Sequence, residues 1–298
     1  MSTESIDPRY QEIDSWPSEL AVEAMLEGQL AAIACIRSQT SAIAEASEAA
    51  AVRLLKGGRL VYVGAGTSGR IAVQDGVELA PTYNWPEERL VFLLAGGLAA
   101  LSRSVEGAED DVTAARHLVS ESQIAQNDVV IGVAASGRTP FTVAAVIAAR
   151  KANALTIGIS NNPSSPLLSA AEHALCADTG SELIAGSTRM KAGTAQKAIL
   201  NLFSTTTMLR CGLVYQGLMV NMRVSNEKLL ARARVMVQTL SGCDYDAAVS
   251  ALSLASNDIR KATIIGLGQS SEAAERVLRE NNYNLRAAIA KVGGKCEF

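Results

Sequence analysis

Five short apolar runs punctuate this chain: RLVYVGAG from Arg59, RLVFLLAGG from Arg89, DVVIGVAAS from Asp128, NALTIGISN from Asn153 and HALCADTG from His173. Helix-like stretches separate them. Apolar runs of this length, spaced by helices, are the pattern of βαβ units, and strands that stay apolar on both faces belong to a parallel sheet covered on both sides. The chain is therefore expected to be an α/β protein built on a five-stranded, parallel, doubly wound sheet. Its interior must be made mostly of Ala, Val, Leu and Ile, because hydrophobic residues reach 48% while aromatics supply only 4%. Small aliphatic side chains suit helices packed on such a sheet.

Two helices are expected ahead of the first strand, Ser18 to Arg37 and Ser41 to Lys56, stopped by Gly57 and Gly58. After the last strand a long helix is expected over Gly186 to Leu213 and another over Asn226 to Leu240. Gly242 then marks a boundary. The tail has three amphipathic segments, near Tyr245 to Ala255, Ser271 to Glu280 and Leu285 to Val292, that suit a small three-helix bundle. The expected organisation is N-terminal helices over residues 1–58, the sheet domain over 59–240 and a C-terminal helical bundle over 241–298.

Composition removes several functions. The net charge is -3 and no Lys/Arg block stands out, so the footprint of a nucleic-acid binder is missing. No run approaches the ~18 apolar residues that span a bilayer, and the polar start MSTESIDPRYQEID lacks the pattern of a signal peptide. A cytoplasmic protein without membrane or nucleic-acid partners is expected. Cys35, Cys176, Cys211, Cys243 and Cys296 are odd in number and never at C-x-x-C spacing, which argues against a disulfide framework or a zinc site and for small core hydrophobes. Only His117 and His173 are present, so metal or triad chemistry has little to draw on; no metal and no cofactor are expected.

The stretch LVYVGAGTSGRIAV carries Gly64, Gly66 and Gly69 at G-x-G-x-x-G spacing after an apolar run. A dinucleotide turn would need an acidic residue at the end of the second strand for the ribose hydroxyls. That strand ends in Ala and Gly, and Glu87 and Glu88 stand at its other end. What the chain offers instead is a recurrence: Ser136, Gly137, Arg138 and Thr139 after the third strand echo Thr67, Ser68, Gly69 and Arg70 after the first. Helix N-termini present unpaired N–H groups and a positive dipole, and Ser or Thr hydroxyls add donors, which suits a phosphate group. A third opening, Ser187-Thr188-Arg189-Met190-Lys191, adds two hydroxyls and two cations. One such turn is no more than an ordinary N-cap. Two alike, with a third opening, point to a phosphate monoester on a small polar molecule, gripped by Gly66, Thr67, Ser68, Gly69, Arg70, Ser136, Gly137, Arg138, Thr139, Ser187, Thr188 and Lys191.

GAGTSGR followed by SGRTP resembles a sugar isomerase (SIS) domain, a phosphosugar-binding fold. DGVELAPTY from Asp75, SVEGAEDD from Ser104 and GSTRMKAGTAQK from Gly186 narrow the resemblance to the N-acetylmuramic acid 6-phosphate etherases, over nearly the whole chain from about Thr3 to the tail. The resemblance implies a metal-independent, cytoplasmic homodimer that cleaves the lactyl ether of MurNAc 6-phosphate to GlcNAc 6-phosphate and D-lactate, a step of cell-wall sugar recycling. It implies elimination followed by hydration, carried by Glu78 and Glu106. Chemistry asks for two carboxyl groups in any case, since an alkoxide leaving group needs a buried, protonated acid and a weakly acidic C–H needs an ionised base. The residues alone leave the two roles interchangeable; the resemblance implies Glu78 as acid and Glu106 as base. Two other readings share the fold, an aldose–ketose phosphosugar isomerase and a non-catalytic phosphosugar sensor. The shortage of histidines weighs against the first, and an acidic, Ala-rich segment 1–58 where a bacterial regulator would carry a basic helix-turn-helix weighs against the second.

Overall fold

The computed structural model describes residues 3–293. Short 3-10 turns lead into α1 (Ser18–Ala34), and a further 3-10 turn at Cys35–Gln39 joins it to α2 (Thr40–Leu55). The chain then alternates through β1 (Leu60–Gly64), α3 (Gly66–Val77), α4 (Leu79–Tyr83), β2 (Leu90–Leu94), α5 (Val112–Glu121), β3 (Val129–Ala134), α6 (Pro140–Lys151), β4 (Leu155–Ser160), α7 (Pro166–Ala170) and β5 (His173–Cys176). All five apolar runs are strands. They pair only in parallel, in the order β2-β1-β3-β4-β5, with Val61 opposite Val91 and Val130, and Ile157 opposite His173.

Apolar residues at successive strand positions bury both faces. Val61, Val63 and Val130 pack with Ala115, Val119, Phe141 and Ala145 of α5 and α6. The alternate residues Leu60, Tyr62, Val129 and Ile131 are equally buried. On that second face Tyr62 and Phe92 stack at 5.7 Å and leave no room beside Gly76 of α3, where a Cβ would come 2.6 Å from the Phe92 ring. Reversal of strand order between β1 and β3 sets the switch point of the sheet there, and ligands of open α/β sheets bind outside the carboxyl ends of strands at such a point.

The chain divides into two compact units, one of residues up to Val77 with Glu87–Thr207, the other of Glu78–Pro86 with the chain from Met208. The first holds the sheet together with α1 and α2, so the N-terminal helices are part of it. The second begins inside the last turn of α8 (Lys191–Arg210) and continues through α9 (Glu227–Ser241), α10 (Tyr245–Leu254), α11 (Ile259–Gly266), α12 (Ser271–Glu280) and α13 (Leu285–Lys291). Among the described residues four helices follow Gly242, where the sequence pattern gives three segments. The one missed, α11, is a β-branched run whose helical state is set by Asp258, which accepts from the N–H groups of Arg260 and Lys261. Asn226, Asp244, Ser270 and Asn284 cap the other four in the same way. Their apolar faces meet in one core around Met236, Val237, Leu252, Ile264, Leu278 and Ile289.

Four cysteines are free and half-buried, so they lie beside the core rather than in it; Cys296 falls outside the described residues. Among the described residues no helix is long and apolar enough to cross a membrane, and no group of three His, Cys, Asp or Glu is placed to hold a metal ion.

Candidate active site

Strands β1 and β3 deliver their turns to one place. Ser68 and Ser136 line a single cavity of about 410 Å³, together with Gly66, Thr67, Arg138, Thr139 and Thr188. The helix starts at this cavity carry no cap of their own. Ala65 and Gly66 have no side-chain acceptor to offer α3, and Thr139 makes no side-chain cap for α6. Side-chain caps are present on α5 and on α9 to α13 and absent from α1, α2, α4 and α7, as from α3 and α6. Two uncapped N-termini facing one cavity leave N–H donors and dipoles available to an anion.

The glycines of the two turns are there for geometry. Gly69 lies against the end of β1: a Cβ on Gly64 would sit 2.8 Å from the Gly69 Cα, so strand and helix meet backbone to backbone. Gly137 adopts a left-handed φ of 63° and faces Ser165 and Ser160, whose hydroxyls a Cβ would strike. Neither Gly69 nor Gly137 lines the cavity; each lets its turn approach it. The Ser136 hydroxyl accepts from the Arg138 N–H at 3.1 Å, which fixes its oxygen and leaves its proton free.

The third opening is not an open helix start. α8 begins at Lys191 rather than Gly186, and its first amides donate to the buried carboxylate of Glu182, Lys191 N–H to Oε2 at 3.0 Å and Ala192 N–H to Oε1 at 2.9 Å. The Lys191 ammonium donates to the Ser181 carbonyl at 2.8 Å. Lys191 and Ser187 therefore lie off the cavity, and of this opening only Gly186 and Thr188 line it. The physical reason is competition: a carboxylate supplied by the chain already satisfies the N-terminus that a phosphate would have used.

A second cavity of about 350 Å³ shares Ala65, Gly66, Thr67 and Glu109 with the first and adds Arg70, Arg103, Ser104 and Glu106. Arg70 does not point a free cation at a ligand. Its guanidinium donates from Nε to the Ala100 carbonyl at 2.9 Å and from Nη2 to the Arg103 carbonyl at 3.3 Å, pinning the segment that carries Glu106. Glu106 is exposed at this cavity. Glu78 follows the last residue of α3, stands at the N-cap of α4 and is exposed; it belongs to the second compact unit and Glu106 to the first. The burial expected for an acid held protonated is thus not supplied to either glutamate by the single chain.

Residues 42–151 match the glucokinase regulatory protein N-terminal SIS domain family, and residues 106–205 match the SIS domain family. The N-acetylmuramic acid 6-phosphate etherase of Deinococcus radiodurans is 46% identical over 92% of this chain and 91% of its own length. The chain belongs to the N-acetylmuramic acid 6-phosphate etherase family. The etherases of Streptomyces coelicolor, at 43% identity over 99% of this chain and 95% of theirs, and of Erwinia tasmaniensis, at 47% over 83% and 81%, agree.

In this etherase family member the structure adds a cavity residue that sequence reasoning passed over. Glu4 lines the first cavity with the serines. It is delivered by Thr3, which is fully buried and exchanges two bonds with Asn162: Thr3 N–H donates to Asn162 Oδ1 at 3.2 Å, and Asn162 Nδ2 donates to Thr3 Oγ1 at 3.0 Å. Gly186, which has no Cβ, lies against the Glu4 carboxylate. The only signal was the Thr3-Glu4-Ser5 element at the start of the resemblance.

Proposed function

We propose that this protein cleaves the D-lactyl ether of N-acetylmuramic acid 6-phosphate, giving N-acetylglucosamine 6-phosphate and D-lactate. The observation that carries the reading is the shared cavity: two uncapped helix starts bring Ser68 and Ser136 to one cavity, and Glu106 stands in the cavity that adjoins it. Thr67, Thr139 and Thr188 supply further hydroxyl donors to the phosphate, and Arg138 its countercharge.

The open-chain aldehyde makes the neighbouring C2 proton acidic, and Glu106 as base removes it. The C3–oxygen bond then breaks, and Glu78 as acid protonates the departing lactate oxygen. Water adds across the C2–C3 double bond, oxygen to C3 and a proton to C2, and restores the sugar. No redox partner or metal enters this balance. Because both glutamates are exposed in the single chain, desolvation has to come from bound substrate and from a second copy of the chain. A homodimer fits the state of α1: of its 17 residues only Ala32 is buried, while Val22, Leu26, Leu30 and Ile33 are exposed along one side. The reading places the enzyme in the cytoplasm, in recycling of cell-wall sugar.

Incubating the purified protein with N-acetylmuramic acid 6-phosphate and following D-lactate with a coupled dehydrogenase tests the reading. Stoichiometric D-lactate and N-acetylglucosamine 6-phosphate are expected. Binding of the phosphosugar with no lactate released would instead make the protein a sensor.

A further inference from the structure

Two guanidinium groups stand at the cavity of Glu106, and only one is engaged. Arg70 spends its donors on the carbonyls of Ala100 and Arg103. Arg103 lends that carbonyl but keeps its own guanidinium exposed, and among the described residues no hydrogen bond or ion pair takes it up. Glu106 and Glu109 line the same cavity without pairing to it. Arg138 is the corresponding unengaged cation of the adjoining cavity, beside the Ser68 and Ser136 hydroxyls. Each of the two joined cavities therefore holds one cation without a partner in the protein, and the cavity that takes the phosphate already has its own.

The substrate under the etherase reading, on which this inference rests, is an anion at two places: the 6-phosphate, and the carboxylate of the lactyl group that departs. A carboxylate brought into the Glu106 cavity meets two acidic side chains and pays their repulsion unless a cation balances it. The guanidinium fork matches carboxylate geometry with two parallel N–H donors. We propose that Arg103 receives the lactyl carboxylate of the substrate, so that it selects an acidic ether from among phosphosugars and orients the leaving group beside Glu106. N-acetylglucosamine 6-phosphate, which lacks that carboxylate, gains nothing from Arg103.

The test compares Arg103→Ala and Arg103→Lys with the full-length wild type on two substrates, N-acetylmuramic acid 6-phosphate and its lactamide, in which a neutral amide replaces the carboxylate. The competitive Ki of N-acetylglucosamine 6-phosphate is measured alongside. Wild type is expected to prefer the acid over the amide by roughly 10- to 100-fold in kcat/KM, the worth of a hydrogen bond to a charged group. Arg103→Ala is expected to erase that preference by losing activity on the acid alone, with Ki unchanged within about twofold, and Arg103→Lys to restore part of it. An unchanged acid-to-amide ratio in Arg103→Ala overturns the assignment. So does a parallel loss on both substrates, or in Ki, which would mean that Arg103 only supports the loop. A wild type that releases no lactate from the acid overturns the etherase reading, and this assignment with it.

Discussion

Ser68 and Ser136 are spent to different degrees inside the protein, and that difference sets what each substitution does. Ser136 already receives the Arg138 N–H, whereas the nearly buried Ser68 lines the cavity from the first turn of α3. Either alanine substitution removes a donor to a dianion, so KM for the phosphosugar is expected to rise about tenfold or more in each, with the thermal midpoint little changed. Glu106→Gln keeps shape and removes the base. Its kcat is expected to fall about 10²- to 10⁴-fold while the Ki of N-acetylglucosamine 6-phosphate holds, measured by lactate release with product inhibition. The recurrence of Thr-Ser-Gly-Arg and Ser-Gly-Arg-Thr made these residues legible in the sequence. Lys191, expected at the ligand, lies off the cavity for a reason of the same scale: the residue that satisfies the start of α8, Glu182, folds back from nine positions upstream, and no local spacing announces it. Arg70 and Glu4 likewise take their meaning from partners distant along the chain.

Strands and helices were the most legible level, because five apolar runs of strand length admit little else once helices separate them. What spacing did not give was the ends. The long helix loses its expected first turn to the Gly186–Met190 turns, and α11 hides in a β-branched stretch that only its Asp258 cap reveals. At the far end of the sheet from the site, Asp128 ties the start of β3 to Arg59, accepting the Arg59 N–H at 3.0 Å, its Nε at 3.1 Å and its Nη2 at 2.6 Å, along with the Ala125 N–H at 3.0 Å. Burial of this carboxyl pushes its pKa up, but the Arg59 side-chain bond and the two N–H donors outweigh it, and the net shift is downward from 3.8. Stability from Asp128 is thus fully present above the unfolded pKa and is lost as pH falls through the lower folded value. Asp128→Asn is expected to destabilise by about 3 kcal/mol at neutral pH and to flatten the loss of stability below about pH 4, checked by denaturant titration across pH. Gly64→Ala is expected to cost about 1–3 kcal/mol in the same measurement, because its Cβ would enter the β1–α3 contact.

Across the whole molecule, the two turns GAGTSGR and SGRTP were readable as a pair because they sit where the sheet reverses order, at the carboxyl ends of β1 and β3. The compact units were less so: sequence breaks at Gly58 and Gly242 are turns within units, since α1 and α2 fold with the sheet and α9 with the helices that follow it. A bare apolar side on α1 predicts self-association. Leu26→Asp with Leu30→Asp is expected to halve the sedimentation mass and to lower activity at least tenfold, while circular dichroism stays that of the wild type. An unchanged mass in that variant would place any interface elsewhere.

Isotope placement in the products tests the proposed chemistry most directly. In deuterated water enriched in oxygen-18, elimination and hydration put deuterium on C2 and oxygen-18 on C3 of the N-acetylglucosamine 6-phosphate, and leave the D-lactate free of oxygen-18. Oxygen-18 recovered in the lactate, or a sugar product with its original C2 hydrogen, would contradict the account.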